Sequence, residues 1–366
     1  MDITYKEFDS NVVVNTTIGN VDVEMFDVRQ APFELYGLYD ATNPQQERFE
    51  RVPRDVALSV SQGVAVQSYE PAGGRVRFST DSKYVAIKVE NGWITYRPHF
   101  TLIEAGGFDL YVNADGQDYF HGVFVPPYGA QEGYEQIIRF PDKKMRQITI
   151  NFPLHASVKR LLVGLAPGAA LGPGKQYIND KPVVCYGSSI TQGTGASRPG
   201  IAYSNMLSQR LNVHTYNLGF SGQCKGEPAI AEYIAGLDMA ALILDYDENA
   251  PTPEHLRDTH ENFFQIIRSK HPNMPVIMLT RPSITARSAK HKPFRDVVYR
   301  TYQNALAAGD KNVYFIDGGE YLKGYACDDF ILDGIHPNDL GYYVMASNIQ
   351  KYLEVIIAGS DDFRKV

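Results

Sequence analysis

The sequence predicts a two-domain α/β protein, with a β-sandwich in its N-terminal half and a three-layer α/β/α domain in its C-terminal half. Short stretches within about residues 55 to 165 alternate apolar and polar side chains, which is typical of strands with one buried face. From residue 183 onward, buried apolar runs are each followed by a helical pattern, which is typical of a parallel sheet. A Gly/Pro-rich stretch, residues 166 to 182, separates the two patterns. We therefore predict domains at residues 1–170 and 171–366.

The segment YVAIKVENGWITYR shows the alternation of the N-terminal half. Val85, Ile87 and Val89 fall on one face of a predicted strand. Asn91-Gly92 predicts a hairpin turn, because this dipeptide readily adopts the positive φ angles of two-residue turns. The segments QITINFP and VKRLLVGLA continue the series of strands, and together they predict an antiparallel sandwich.

Apolar runs predict the strands of the C-terminal sheet, in the order VVCYG, HTYNLGF, MAALILDY, PVIMLT and VYFIDGG. The helix after the third run is defined by its first residues, because Thr252 can cap it and Pro253 suits its first position. Its histidines, His255, His260 and His271, are expected to face solvent. The alternation of strand and helix predicts a parallel sheet between two helical layers.

Composition and charge argue against several classes of function. The formal net charge of −7 disfavours a protein that binds nucleic acid or an anionic membrane through a basic face. We find no apolar run long enough to span a bilayer and no signal-peptide pattern at the start, so we expect a cytoplasmic protein. The widely spaced Cys185, Cys224 and Cys327 favour reduced thiols over a disulfide framework or a zinc cluster.

Chemically active side chains follow the apolar runs, and in a parallel sheet functional groups lie beyond the carboxyl ends of the strands. The first run ends at Gly187 and is followed by Ser188 and Ser189. The late segment ILDGIHPNDLGYY adds Asp333 and His336. A serine, a histidine and an aspartate at one edge of a sheet are the components of a nucleophilic hydrolase.

Other kinds of site fit the sequence less well. The loop after Gly187 lacks the Lys-Ser/Thr pair of a P-loop and the G-x-G-x-x-G dinucleotide pattern, and Thr191 breaks the G-x-S-x-G elbow. Asp245, Asp247 and Glu248 cluster at the end of the third run, but no histidine is spaced to complete a metal set with them. We therefore predict a site with no metal and no organic cofactor.

The segments YGSSITQG and DGIHPN resemble the first and last sequence blocks of the SGNH/GDSL hydrolase superfamily. The resemblance implies that Ser189 is the nucleophile, with Ser188 where the family usually has aspartate. Because a serine after a strand commonly caps a helix, we expect Ser188 to be structural. The resemblance also implies that His336 is the general base and that Asp333 orients it. The unperturbed pKa of histidine suits this role, because a serine hydroxyl becomes nucleophilic only when a base takes its proton.

Two further segments resemble the blocks that supply the oxyanion hole. NLGFSG is similar to the second block, whose glycine donates a backbone N–H, and the matching residue is Gly222. DYDEN is similar to the third block and offers Asn249, although the usual glycine before and aspartate after that asparagine are missing. The resemblance implies a hole formed by the N–H groups of Ser189 and Gly222 and the side-chain amide of Asn249.

The N-terminal half extends the resemblance, since GGFDLYVN contains a Gly-x-Asp-Leu-Tyr signature from Gly107 to Tyr111. A bacterial branch of SGNH esterases carries this signature in a β-sandwich domain. The resemblance implies a jelly-roll-like sandwich followed by a flavodoxin-like SGNH domain. We expect the sandwich to pack near the mouth of the cleft, so that deleting residues 1 to 165 harms selectivity or solubility and leaves the chemistry intact.

The sequence thus predicts a serine esterase that removes short acyl groups from a carbohydrate through an acyl-serine intermediate, with acetyl as the expected acyl group. The expected partner is a small acylated substrate such as an acetylated oligosaccharide, with no nucleic acid and no membrane. Two alternatives stay open: another acyl hydrolase of the lipase or thioesterase type, and a non-catalytic carbohydrate-binding protein with the same fold. Ester chain-length preference distinguishes the first alternative, and labelling by a serine-directed phosphonate distinguishes the second.

Overall fold

The computed structural model describes residues 17–282, 291–321 and 327–363. Antiparallel sheets form its N-terminal part, and a parallel sheet forms the centre of its C-terminal part. The predicted fold class is therefore confirmed.

Two antiparallel sheets face each other in the N-terminal part. Their strands are β1 (Glu24–Asp27), β2 (Glu34–Tyr36), β3 (Arg75–Thr80), β4 (Tyr84–Ile94), β5 (Phe108–Ala114), β6 (Gln117–Phe124), β7 (Gly133–Arg139), β8 (Arg146–Asn151), β9 (Ala156–Leu165) and β10 (Leu171–Pro173). In the described residues one sheet has the order β1-β9-β4-β7 and the other the order β10-β3-β8-β5-β6, with β2 also paired to β3. Alternate side chains of both sheets, among them Val85, Ile87 and Val89, fill the core between them.

The predicted hairpin at Asn91-Gly92 is wrong, because β4 runs through both residues with an irregularity in its pairing to β9. Neither residue adopts the positive φ that a two-residue turn of this type needs. A Cβ at position 92 would lie 2.8 Å from Ser157 Oγ on β9. Glycine at this position therefore allows two strands to approach closely.

Short helices also belong to the N-terminal part, namely α1 (Arg54–Val60), α2 (Gln62–Gln67) and α3 (Leu102–Gly106). Alternating strands were expected from about residue 55, so α1 and α2 are a correction to the start of that region. Ala57, Val64 and Ala65 of these helices lie in a core shared with the C-terminal part. Their apolar side chains therefore pack against the parallel sheet and not inside the sandwich.

The C-terminal part is a parallel sheet between two helical layers. Its elements are β11 (Val183–Gly187), α4 (Ser189–Gln192), α5 (Tyr203–Leu211), β12 (Thr215–Gly219), α6 (Pro228–Ala235), β13 (Ala241–Asp245), α7 (Pro253–Lys270), β14 (Val276–Leu279), α8 (Lys292–Ala307), β15 (Val313–Ile316) and α9 (Asp339–Gly359). Across the described ranges the strand order is β12-β11-β13-β14-β15, which is the flavodoxin-like order. The order reverses between β11 and β13, and ligand sites of such sheets lie at the strand ends there.

Alternate residues of β11 face the two helical layers. Val184 and Tyr186 lie in the core with α6, α7 and α8, and Val183 and Cys185 lie in the core with α5 and α9. Strands buried on both faces carry apolar side chains at every position. This double burial explains why the C-terminal strands appear as continuous apolar runs in the sequence.

The ends of α7 follow the sequence prediction, because Thr252 accepts a hydrogen bond from His255 N and Pro253 is the first helical residue. The expectation that His255, His260 and His271 all face solvent is wrong for His260. His260 is buried, and its Nδ1 lies 3.0 Å from Thr301 Oγ1 on α8. His260 lies on the face of α7 that packs against α8, and the Thr301 hydroxyl provides a hydrogen-bond partner for its ring.

The segment after the sandwich connects the two parts of the chain. β10 pairs antiparallel with β3, and β11 begins the parallel sheet at Val183. The division of the chain at residue 170 stays a prediction. Cys185 and Cys224 are buried free thiols, whereas the side chain of Cys327 lies outside the described residues. Among the helices that the structure describes, none combines the length and the apolar character needed to cross a bilayer.

Candidate active site

Ser189, His336 and Asp333 lie together beyond the carboxyl end of β11. Ser189 Oγ is 2.8 Å from His336 Nε2, and His336 Nδ1 is 2.7 Å from Asp333 Oδ2. Because the carboxylate accepts a hydrogen bond from the protonated Nδ1, Nε2 is left to accept the serine proton. The structure thus brings together a candidate nucleophile, a candidate base and a carboxylate placed to orient that base.

A helix cap places Ser189 at this position. The Ser188 side chain accepts a hydrogen bond from Ile190 N, so Ser188 is the N-cap and Ser189 is the first residue of α4. The backbone N–H of a first helical residue has no partner within the helix and can bind another acceptor. Ser188 therefore has the structural role expected from the sequence, and Ser189 offers a hydroxyl and an N–H.

Asp333 also orders the loop that carries His336. Its Oδ1 accepts hydrogen bonds from Ile335 N at 3.1 Å and His336 N at 2.9 Å. Partial burial acts to raise the pKa of Asp333, but the hydrogen bonds from His336 and Ile335 outweigh it and hold the pKa below its ordinary value. Asp333 is therefore ionised at neutral pH and can stabilise a protonated imidazole.

Gly222 and Asn249 lie in the loops after β12 and β13, the two strands that flank β11. Gly222 is exposed and has a φ of 70°, which favours glycine. Asn249 Oδ1 accepts a hydrogen bond from Cys224 N at 3.3 Å, so the two loops are joined. This contact leaves Nδ2 as the end of the Asn249 amide that can donate to a ligand. The assignment of both residues to an oxyanion hole stays a prediction.

The acidic side chains at the carboxyl end of β13 have partners within the protein. Thr191 donates a hydrogen bond to Asp245 at 2.9 Å, and burial raises the pKa of Asp245 well above its ordinary value. Arg281 forms ion pairs with Asp247 at 3.1 Å and Glu248 at 2.9 Å. Among the described side chains, no group of three or more His, Cys, Asp or Glu is arranged to hold a metal ion.

Residues of the N-terminal part also contact the site. The sequence analysis did not identify these individual residues. His99 Nε2 lies 3.8 Å from Asp333 Oδ2, and Glu104 accepts a hydrogen bond from Gly195 N at 2.8 Å. Residues of both parts line a cleft of about 430 Å³ beside these contacts. The pattern Thr101-x-x-Glu104 could have indicated the start of α3, but no local pattern indicates contacts with the C-terminal part.

The Gly-x-Asp-Leu-Tyr signature holds the segment that follows α4. Asp109 is fully buried and accepts hydrogen bonds from Arg198 at 3.0 Å, Gly200 N at 2.7 Å and Asn151 at 2.7 Å. The Tyr111 hydroxyl also contacts Arg198. The signature therefore joins the sandwich to the loop beyond Ser189.

Two family models match the chain in adjoining ranges. The model of the GDSL-like lipase/acylhydrolase family matches residues 180–354. The GxDLY model, which describes the N-terminus of SGNH-hydrolase-type esterases, matches residues 23–171. The chain belongs to the SGNH/GDSL hydrolase superfamily. Ser189, His336 and Asp333 of this SGNH hydrolase all lie within the first of these ranges.

Solved structures share the fold over almost the whole SGNH hydrolase. A protein of Bacteroides ovatus assigned as a GDSL-like lipase is 28% identical, with a TM-score of 0.82, over 92% of this chain and 98% of its own. The salicylyl-acyltransferase SsfX3 of a tetracycline biosynthetic pathway is 19% identical, with a TM-score of 0.73, over 93% and 99%. An acetyl xylan esterase of the rumen bacterium Butyrivibrio proteoclasticus is 13% identical, with a TM-score of 0.58, over 92% and 99%. No curated protein matches the sequence.

Proposed function

We propose that this SGNH hydrolase is a serine esterase that removes short acyl groups from a carbohydrate, with acetyl as the expected acyl group. The single observation that carries the proposal is the hydrogen-bonded series from Ser189 Oγ through His336 to Asp333. A serine hydroxyl attacks an ester only when a neighbouring base removes its proton, and this series supplies the base and the carboxylate that orients it.

In the proposed reaction, His336 takes the Ser189 proton as Oγ attacks the ester carbonyl carbon. The negative oxygen of the tetrahedral intermediate accepts hydrogen bonds from the N–H groups of Ser189 and Gly222 and from the Asn249 amide. The bond to the leaving alcohol then breaks, and His336 gives the proton to that alcohol. Water attacks the acyl-serine with the same base, which releases the carboxylic acid and restores Ser189.

A protein of similar fold supports the choice of a carbohydrate substrate. The acetyl xylan esterase of similar fold matches 92% of this chain and 99% of its own. A cleft lined by residues of both parts lies next to the loop that carries Asp333 and His336 in this SGNH hydrolase. Acetylated oligosaccharides are therefore the substrate class to test first.

The test of this function measures acetate release from a panel of acetylated polysaccharides and oligosaccharides, together with hydrolysis of p-nitrophenyl esters of increasing chain length. We expect acetate release and a preference for the acetyl ester. A preference for long acyl chains would favour a lipase or thioesterase. A purified enzyme that hydrolyses no ester and is not labelled by a serine-directed phosphonate would contradict the proposal.

Two adjacent serines provide the matched variants for the nucleophile. Ser189→Ala should lower kcat by more than about ten-thousandfold, because the attacking oxygen is lost. Ser188→Ala should keep most of the activity and lower the free energy of unfolding by about 1 kcal/mol, because it removes the cap of α4. Equal losses of kcat in the two variants would mean that the nucleophile is misassigned.

A further inference from the structure

We infer that Gln67, on helix α2 of the N-terminal part, is a positioning residue for the oxyanion hole. The inference rests on the proposed function, because it concerns how the backbone N–H of Gly222 is aimed. Gln67 lies far from the C-terminal blocks in sequence, and α2 brings it to the loop after β12.

The contact that carries the inference lies in the peptide unit next to Gly222. Gln67 Nε2 donates a hydrogen bond to the carbonyl oxygen of Ser221 at 2.8 Å. The Ser221 carbonyl and the Gly222 N–H belong to one planar trans peptide and point in opposite directions. A donor that fixes the carbonyl therefore also fixes the direction of the N–H.

Packing contributes little to the orientation of this peptide at Gly222. The residue is exposed and has no side chain, and apart from its two chain neighbours no described heavy atom lies within 4 Å of the position that a Cβ would occupy. Glycine backbone is also the most permissive in φ and ψ. Hydrogen bonds to the peptide are therefore the contacts that can restrain it.

The other side of Ser221 is held by the helix of the nucleophile. Ser221 N and Oγ donate to Gln192 Oε1 at 2.9 and 2.8 Å, and Gln192 is the last residue of α4. Gln192 Nε2 in turn donates to Glu70 Oε2 at 2.7 Å. Both polar groups of the Ser221 backbone are thus bound, and the N-terminal part supplies Gln67 directly and Glu70 through Gln192.

This arrangement acts on the transition state more than on substrate binding. Donors of an oxyanion hole lower the barrier because they are oriented before the negative charge develops. A hydrogen bond to the Ser221 carbonyl also polarises the peptide, which makes the Gly222 N–H a better donor. Loss of the Gln67 contact should therefore appear in kcat and leave KM nearly unchanged.

The experiment compares Gln67→Met with Gln62→Met in the full-length enzyme. Gln62 is an exposed residue at the start of the same helix, so this control makes the same chemical change away from the loop. For p-nitrophenyl acetate we expect Gln67→Met to lower kcat by about tenfold to a hundredfold, somewhat less than the loss of a whole oxyanion donor. KM and the shape of the pH profile should match the parent enzyme, and Gln62→Met should match it in every respect.

A second variant, Gln67→Asn, keeps the amide but is one methylene too short to reach Ser221, and it should show the same loss of kcat. Thermal unfolding of each variant tests whether the fold is intact. Parent-like kcat in folded Gln67→Met and Gln67→Asn overturns the inference while the proposed function stands. So does a higher KM with unchanged kcat. A parent enzyme that is inactive and unlabelled at Ser189 overturns the proposed function, and the inference with it.

Discussion

The side-chain amide of Asn249 has one end in a loop contact and the other in the proposed oxyanion hole. Its Oδ1 accepts the hydrogen bond from Cys224 N, and its Nδ2 is the proposed donor. Asn249→Asp keeps the acceptor and replaces the donor with an oxygen. We expect kcat to fall by about a hundredfold to a thousandfold, with KM nearly unchanged, because this hydrogen bond is made only in the transition state. Steady-state kinetics on p-nitrophenyl acetate provide the measurement.

The companion variant Asn249→Ala removes both ends of the amide. It should lose kcat to a similar degree and also have a lower thermal midpoint, because Cys224 N then lacks its partner. If Asn249 only orders the loop, Asn249→Asp would keep a near-normal kcat. That result would remove Asn249 from the hole.

We expect Glu104 to link pH to the stability of the protein. Burial raises the pKa of Glu104 to about 8, in spite of the hydrogen bonds from the backbone N–H groups of Gly195 and Thr101. Its pKa in an unfolded chain is about 4.3, so the folded state binds more protons between those values and stability falls as pH rises. Glu104→Gln cannot ionise and should weaken this fall. Thermal midpoints of the parent enzyme and of Glu104→Gln at pH 5 and pH 8 test this expectation. An equal fall of the midpoint in the parent and in the variant would contradict it.

The sequence offered Ser189, His336 and Asp333 as candidate site residues, because the chemistry of acyl transfer restricts which residue types can occupy such positions. The structure brings these three together. Gln67 and Glu104 were not identified, because many polar residues could make the same hydrogen bonds and the contacts join distant parts of the chain. Side chains whose type is restricted by the proposed chemistry are thus easier to predict than side chains that only hold other groups by hydrogen bonds.

At the level of single elements, the Gly-x-Asp-Leu-Tyr signature makes strand β5 an anchor for the segment after α4. Asp109 is buried and pairs with Arg198, and removing one partner of a buried ion pair costs about 3–5 kcal/mol. We expect Asp109→Ala to lower the free energy of unfolding in urea by about this amount. Glu24→Ala, at an exposed position of β1, is the control and should change it by less than about 0.5 kcal/mol. Equal stability of the two variants would mean that the signature is not an anchor.

Elements were predictable where local sequence alone determines them. The strands of the parallel sheet were predicted because they are buried on both faces, and α7 because Thr252 and Pro253 define its start. The hairpin at Asn91-Gly92 was wrong because the glycine serves the approach of β9. Helices α1 and α2 were missed because their apolar residues pack on the other part of the chain. The errors thus lie where distant contacts decide the local conformation.

Across the whole molecule, the N-terminal part covers an edge of the parallel sheet. Strand β12 is at the edge of that sheet in the described residues. The buried Arg51 donates hydrogen bonds to the carbonyl oxygens of Asn217 and Gly219, and the buried Arg75 donates to that of Thr215. Deleting residues 1 to 165 would expose this edge and leave its carbonyl groups without these donors. We therefore replace the expectation from the sequence, and predict that the deletion prevents the C-terminal part from folding stably.

The full-length chain offers a direct test of this dependence. Trp93, the single tryptophan of the chain, reports on the sandwich by fluorescence, whereas circular dichroism at 222 nm reports mainly on the helices around the parallel sheet. If the two parts depend on each other, both signals should share one urea midpoint. Arg51→Met should lower both midpoints together, because each buried carbonyl left without a donor costs about 1–3 kcal/mol. Arg160→Met, at an exposed ion pair with Asp27, should leave them nearly unchanged. Helical signal that is lost at a different urea concentration from the Trp93 signal would show that the parts unfold independently.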